Sequence, residues 1–357
     1  MELWKTDVSV LLVFFVRDET FKRVFESVRQ ARPRRLLLWQ DGPRKGKSSD
    51  LEGIKKCREI AENVDWECEI YKHYNEENLG CDPSTFLAFK WAFSIVDKCI
   101  ILEDDQVPSQ SYFTFCKELL DKYEFDERIS HICGYNILGV ASWCPNDYLF
   151  AYTGSGAWAS WRRVADSWED KYEFLHDEYA LNNLKNKYGK RSEAWIKTAI
   201  RHEKTGKEYW ESIIGLGCAI NSRYAIIPKY NLVQNWGISD NATHSSVNDL
   251  RLIGRAEQKL YLQKGEEITF PLKHPKYVIP DNDYMAMLDK RNNMVFLVKG
   301  KIQMVINMIR YRKFNLLLTT IRRKLHRGWI IFDSSSIYSS IYWAYDSIAG
   351  KGTIVYA

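Results

Sequence analysis

Short apolar runs alternate along the first hundred residues with segments whose apolar positions recur every three or four residues. The run Val8 to Val16 is too short for a buried helix and reads as a strand, and Phe21, Val24, Phe25 and Val28 then fall on one helical face. Arg35 to Trp39 reads as a second strand that stops on Gln40-Asp41-Gly42-Pro43, an acid followed by a turn signal. A helix from about Asp50 to Asn63 and a third strand from about Glu67 to Lys72 follow. Asp82 is placed to cap, and Pro83 to open at the first helical position, a helix over Ser84 to Val96. Cys99 to Leu102 is a fourth strand, apolar at every position as in a parallel sheet covered on both faces, and a helix follows from about Gln110 to Tyr123.

This alternation predicts an α/β fold, Rossmann-like, with a doubly wound and mostly parallel sheet. Three of the predicted strands end on polar groups, namely Arg17, Asp41, and the run Glu103-Asp104-Asp105. Ligands of open α/β sheets bind at the carboxyl edge, so a planar base, a ribose and a diphosphate can be laid across these ends in turn. Adjacent carboxylates repel one another unless a cation sits among them. Hard oxygen ligands suit Mg²⁺ or Mn²⁺, and a divalent ion bridging a diphosphate is the natural candidate; the plain alternative is a solvated acidic turn. Neither Gly-x-Gly-x-x-Gly nor Gly-x-x-x-x-Gly-Lys-Ser/Thr occurs, which argues against dinucleotide cofactors and P-loop chemistry.

Charge changes the picture at one end of the chain. Residues 290–332 hold eleven Lys or Arg and no acid, out of 51 basic and 46 acidic residues in all, so the remainder is net acidic. Ile302, Val305, Ile306, Ile309, Leu317, Ile321 and Leu325 recur among those cations at near-helical spacing, the pattern of helices lying on an anionic membrane. Residues 290–327 are therefore expected to reach an anionic membrane surface, or else to fold back over the body or cover an oligomer contact. Nucleic acid is not expected as a partner, because the cations alternate with aliphatic residues and not with exposed aromatics. The eight cysteines lack any Cys-x-x-Cys pair, so neither a zinc site nor a disulfide framework is indicated, and reduced thiols are expected. Val8 to Val16 is too short to span a bilayer and has no cleavage-site pattern. Trp329 to Ala357, rich in Ile, Tyr and Ser, suggests no function.

The middle of the chain is rich in tryptophan: Trp143, Trp158, Trp161, Trp168, Trp195, Trp210 and Trp236. Such rings serve either as walls for sugars or as core. Two segments look chemical, Lys207-Glu-Tyr-Trp-Glu211 and Pro228 to His244. A carboxylate beside a tryptophan has the makings of a general base. His244 is a candidate for the ion or for a phosphate oxygen. Asn241-Ala-Thr243 matches a glycosylation sequon but stands without any other sign of secretion.

Val10 to Arg17, Gln40-Asp41-Gly42, Ile101 to Asp105 with Tyr112-Phe113, Gly154 to Trp158, Tyr209-Trp210-Glu211 and Gly237 to His244 occur in this order. Together they resemble the N-acetylglucosaminyltransferase I family of inverting, GT-A-fold glycosyltransferases and its bacterial relatives, over about residues 8 to 250. The resemblance implies a GT-A domain over about residues 1–288, with a nucleotide-binding half to about 125 and an acceptor half beyond it. Residues 289–357 are then a basic helical extension. It further implies that Arg17 and Asp41 contact uracil, that Asp104 contacts ribose, that Asp105 ligates manganese, and that Glu103 lies near the donor sugar. Trp210 and Glu211 match the family's Trp-Asp pair, with Glu211 as catalytic base, although Glu replaces Asp there. Ser239 or Thr243 matches a hydroxyl near the diphosphate. The membrane anchor of eukaryotic members is absent, which favours a bacterial protein at the cytoplasmic face, peripheral on the inner leaflet.

The expected activity is metal-dependent inverting transfer of a sugar from a UDP-sugar, UDP-GlcNAc by resemblance, to a hydroxyl of a glycan or lipid-linked glycan. A retaining transferase, a sugar nucleotidyltransferase and an inactive scaffold at a membrane are the alternatives.

Overall fold

The computed structural model describes residues 3, 5–154, 156–238, 249–253, 255–291 and 294–314. The first half alternates as the pattern requires: β1 Thr6–Phe14, α1 Asp18–Ala31, β2 Pro33–Gln40, α2 Ser49–Ala61, β3 Glu69–Tyr74, α3 Cys81–Ile95, β4 Lys98–Glu103, β5 Gln106–Pro108 and α4 Gln110–Lys122. After it come β6 Ile129–Cys133, β7 Tyr148–Ala151, β8 Trp158–Trp161, α5 Arg162–Ala165, α6 Glu178–Tyr188, α7 Lys190–Thr205, α8 Trp210–Ile220, β9 Tyr224–Pro228 and β10 Val233–Asn235. Helices α9 Arg255–Leu262, α10 Asn282–Arg291 and α11 Met294–Arg310 complete the described chain.

Eight strands form one sheet in the order β3-β2-β1-β4-β8-β6-β9-β7, and β5 pairs with β10 in a separate two-stranded ribbon. The four strands from β3 to β4 are mutually parallel, and β8 and β7 run against their neighbours. The expected α/β fold with a mostly parallel sheet is the one observed. Successive side chains of a strand point to opposite faces, and here each face has its own core. Val10, Leu12, Leu36, Leu38, Ile100 and Leu102 pack with Phe21, Phe25, Phe113 and Phe115. Leu11, Leu37, Cys99 and Ile101 pack on the other side with Phe86, Phe89, Phe93 and Ile213. Unbroken apolar runs in β1, β2 and β4 are thus explained by helices on both faces.

One expected start signal reads differently. Helix α3 begins at Cys81, so Asp82 and Pro83 occupy its first turn, and no side chain caps it. Proline is tolerated there because its missing N–H has no intrahelical partner to lose. Asp82 instead pairs with Lys207 at 3.1 Å, tying α3 to the approach to α8. All eight cysteines are free thiols.

Candidate functional site

The register between β1 and β4 assembles the site. Leu11, Leu12 and Val13 lie opposite Ile101, Leu102 and Glu103, so the residues leaving β1 stand level with Asp104 and Asp105. Phe15 N donates to Asp104 Oδ2 at 3.2 Å. The Arg17 guanidinium grips both acids, Nη2 on Asp104 Oδ1 and Nη1 on Asp105 Oδ2 at 2.9 Å. Burial works against the Arg17 charge, but the two carboxylates outweigh it and its pKa lies above the ordinary arginine value. Arg17, Asp104 and Asp105, picked from separate segments of the sequence, therefore meet.

Gln106 shapes the acidic turn. Its side-chain oxygen accepts from Glu103 N at 3.1 Å and from Ala157 N at 3.0 Å, and its amide donates to Glu103 Oε1 at 3.0 Å. Glu103 is desolvated at this turn, and Asp105, Glu211 and Asp104 act on it as like charges. Its pKa stands well above the usual carboxylate range, with Arg17 opposing the rise. Burial also raises Asp104, against the pull of Arg17.

Glu211, from the second predicted segment, is near enough to Glu103 to act on it as a like charge. Trp210, the first residue of α8, is buried in the core edge-to-face with Phe89, their ring centroids 5.3 Å apart. Its indole anchors the helix and does not wall the cleft. Glu211 follows about 100° further round the helix. Of the other six, Trp158, Trp161 and Trp168 are buried and Trp195 is partly buried, while Trp143 and Trp236 are each 36% exposed.

Asp41 stands apart from the acid cluster. Its Oδ1 accepts from Gly42 N and Leu79 N, each at 3.0 Å, and its Oδ2 from Asn78 Nδ2 at 2.9 Å and Gly80 N at 3.1 Å. Both carboxylate oxygens thus organise the 75–80 loop. Burial still raises the Asp41 pKa, because those hydrogen bonds offset only part of the desolvation.

Three further residues surround the acidic turn, and single-residue reading of the sequence passed over them. Ribbon β5–β10 sets Asn235 against Gln106, and Trp236 N donates to the Asp105 carbonyl at 2.8 Å. A Cβ on Gly237 would lie 2.6 Å from Asp105 Oδ2 and 2.8 Å from Asn235 Oδ1, so any other residue would displace one of these side chains. The Tyr135 hydroxyl is buried beside the Asn235 side chain, in the field of Asp105 and Glu103. Asn235 and Gly237 do lie within the stretch 228–244 that composition singled out; Tyr135 carried no local signal. Ser239, Thr243 and His244 lie outside the described residues.

Among the described residues no group of three or more His, Cys, Asp or Glu is placed to hold a metal ion. The donors at the acidic turn are hard oxygens, Asp105 and the Asn235 amide beside it. That set fits a Mg²⁺ or Mn²⁺ that takes most of its ligands from a diphosphate and water, and does not fit a cage built by protein alone.

No family profile matches the chain, and no curated protein matches it. Among solved structures it is similar to a UDP-glucose pyrophosphorylase complexed with UDP-glucose, at 8% identity and a TM-score of 0.32, over 63% of this chain and 91% of the other.

Proposed function

We propose that the protein is a nucleotide-sugar-dependent glycosyltransferase of inverting type, acting on a UDP-sugar, with UDP-GlcNAc the donor indicated by the sequence resemblance. The observation that carries the reading is the convergence, at one sheet edge, of Arg17, Asp104 and Asp105 with a separate acid, Glu211, close enough to perturb Glu103. Two acidic groups with separate surroundings permit separate roles, one beside the leaving diphosphate and one toward an acceptor hydroxyl.

In this reading Asp105, with His244, would hold Mg²⁺ or Mn²⁺. Such an ion supplies neutralisation of charge on a departing diphosphate. Arg17 provides a second positive charge at that edge, Asp104 orients it and meets the ribose, and Ser239 or Thr243 offers a hydroxyl to the diphosphate. Glu103 lies near the donor sugar. Glu211 removes the proton of the acceptor hydroxyl, a glycan or lipid-linked glycan. Trp210 serves by fixing Glu211, and Asp41 by shaping the loop beside the base.

The test is UDP release from a panel of UDP-sugars with Mn²⁺, followed by the anomeric configuration of any transferred product. UDP release with inversion is expected. Release of pyrophosphate in the presence of a sugar phosphate and UTP would identify a nucleotidyltransferase instead, and retention of configuration would remove Glu211 as the base of a single displacement.

A further inference from the structure

Helix α11 has two apolar faces where a surface helix ordinarily has one. Met308 and Asn307 are buried, and with Met304 they seat the helix on Leu252, Ile253 and Ile238. On the opposite side Ile302 is 54%, Val305 39%, Ile306 49% and Ile309 51% exposed, at the i, i+3, i+4, i+7 spacing of one stripe. At about 100° per residue the flanks of that stripe carry Lys299 and Arg310 on one side and Lys301 on the other. An outward aliphatic stripe bordered by cations is the form of a helix lying in the plane of a lipid headgroup layer.

We propose that α11 docks the protein on an anionic membrane surface, with Ile302, Val305, Ile306 and Ile309 entering the headgroup region. Charge complementarity selects this occupant: residues 290–332 hold eleven Lys or Arg and no acid, a composition that favours anionic lipid over a protein groove. The helix lies on this surface and does not cross it, since among the described residues no helix is long and apolar enough to span a bilayer. The inner face of α11 shares a hydrophobic cluster with Ile238, the residue after Gly237, whose backbone lies against the Asp105 carboxylate. The docking itself needs no donor or turnover, so it stands or falls independently of the proposed reaction.

The experiment is flotation of the full chain with phosphatidylcholine vesicles and with phosphatidylcholine–phosphatidylglycerol vesicles, across a salt series. Wild-type protein is expected to float with the anionic vesicles only, and to be released as salt screens the cations. Ile306→Asp with Ile309→Asp should weaken partitioning by about tenfold or more. Lys299→Glu with Arg310→Glu should weaken it by about fivefold or more per charge. All four positions are exposed, and unchanged thermal melting verifies folding. Wild-type protein that stays at the bottom with anionic vesicles overturns the proposal, and so do folded variants that float like wild type. A wild-type dimer that Ile306→Asp converts to monomer overturns it in favour of a second copy on the stripe. Should a variant fail to fold, the contrast of anionic with neutral vesicles for wild type still decides.

Discussion

Two strand ends on the same edge of the sheet carry buried aspartates, and they are held in opposite ways. At the end of β2, Asp41 is fixed by backbone amides of Gly42, Leu79 and Gly80 and by Asn78. At the end of β4, Asp104 and Asp105 are held chiefly by one long side chain, Arg17, which reaches across from the segment after β1. Backbone donors cannot leave without unfolding the loop. A guanidinium on rotatable bonds can exchange one acid for a ligand at the cost of a side-chain movement. The β2 acid is thereby suited to architecture and the β4 pair to binding.

The sharpest way to break this contrast is Asp105→Asn. Turnover should fall by about a thousandfold or more, the equivalent of about 4 kcal/mol of lost charge stabilisation. Stability should hardly change, because Arg17 loses one partner while repulsion among Glu103, Asp104 and Asp105 is relieved. Initial rates with a UDP-sugar, read beside thermal melting, test both halves. Full turnover in the variant, or in wild type with excess chelator, would put both edges on the same architectural footing. Next in size is Glu211→Gln. Loss of a positioned base should lower kcat by about 10² to 10⁴ while donor affinity stays within about twofold. Calorimetric titration with UDP separates those two quantities, and an unchanged kcat removes Glu211 as the base.

Asp41→Asn tests the other side. Each Asp41 oxygen accepts from at least one backbone N–H. An amide NH₂ would oppose a donor in either flip, leaving a buried N–H without an acceptor. A loss of about 1–3 kcal/mol is expected, measured by denaturant unfolding, together with faster proteolysis in residues 75–80. If stability is unchanged while UDP affinity collapses, Asp41 is a ligand group and the distinction between the edges disappears.

The two-faced sheet was legible because its signal is periodic: β1, β2 and β4 alternate between two helix layers, and only doubly covered strands tolerate apolar residues at every position. Arg17, Asp104 and Asp105 were legible because strand ends of such a sheet share an edge. Roles that depend on long-range placement were not. Nothing local distinguishes Trp210, buried against Phe89, from the half-exposed Trp236. Tyr135 follows β6, and its hydroxyl matters only because later segments bring Asn235 and Gly237 beside Asp105. Gln106 could have been found, since an amide directly after three acids can bond back to the turn it closes.

The smallest expected effect decides how any pH profile of the acid edge is to be understood. His131 is fully enclosed, its Nε2 donating to the Gly154 carbonyl at 3.2 Å, and burial lowers its pKa to about 4. His202, stacked on Tyr209 with centroids 3.7 Å apart, is lowered to about 3 by burial, with Arg201 and Lys207 adding to the shift. Both folded values lie below the value of about 6.5 for an unfolded chain, so below pH 6.5 the unfolded state binds more protons. The stability conferred by keeping these rings neutral is therefore complete above about pH 6.5, and it erodes as pH falls toward the folded values. The slope is at most about 1.4 kcal/mol per pH unit for each ring. Denaturant unfolding near pH 7 and near pH 5 should show this decline, and His131→Gln should flatten it. A pH-independent midpoint would mean that water reaches both rings or that protonation of Glu103, whose raised pKa gives the opposite dependence, cancels the decline. If instead the decline appears, loss of turnover on acidification must be corrected for it before any part is assigned to carboxylates at the β4 edge.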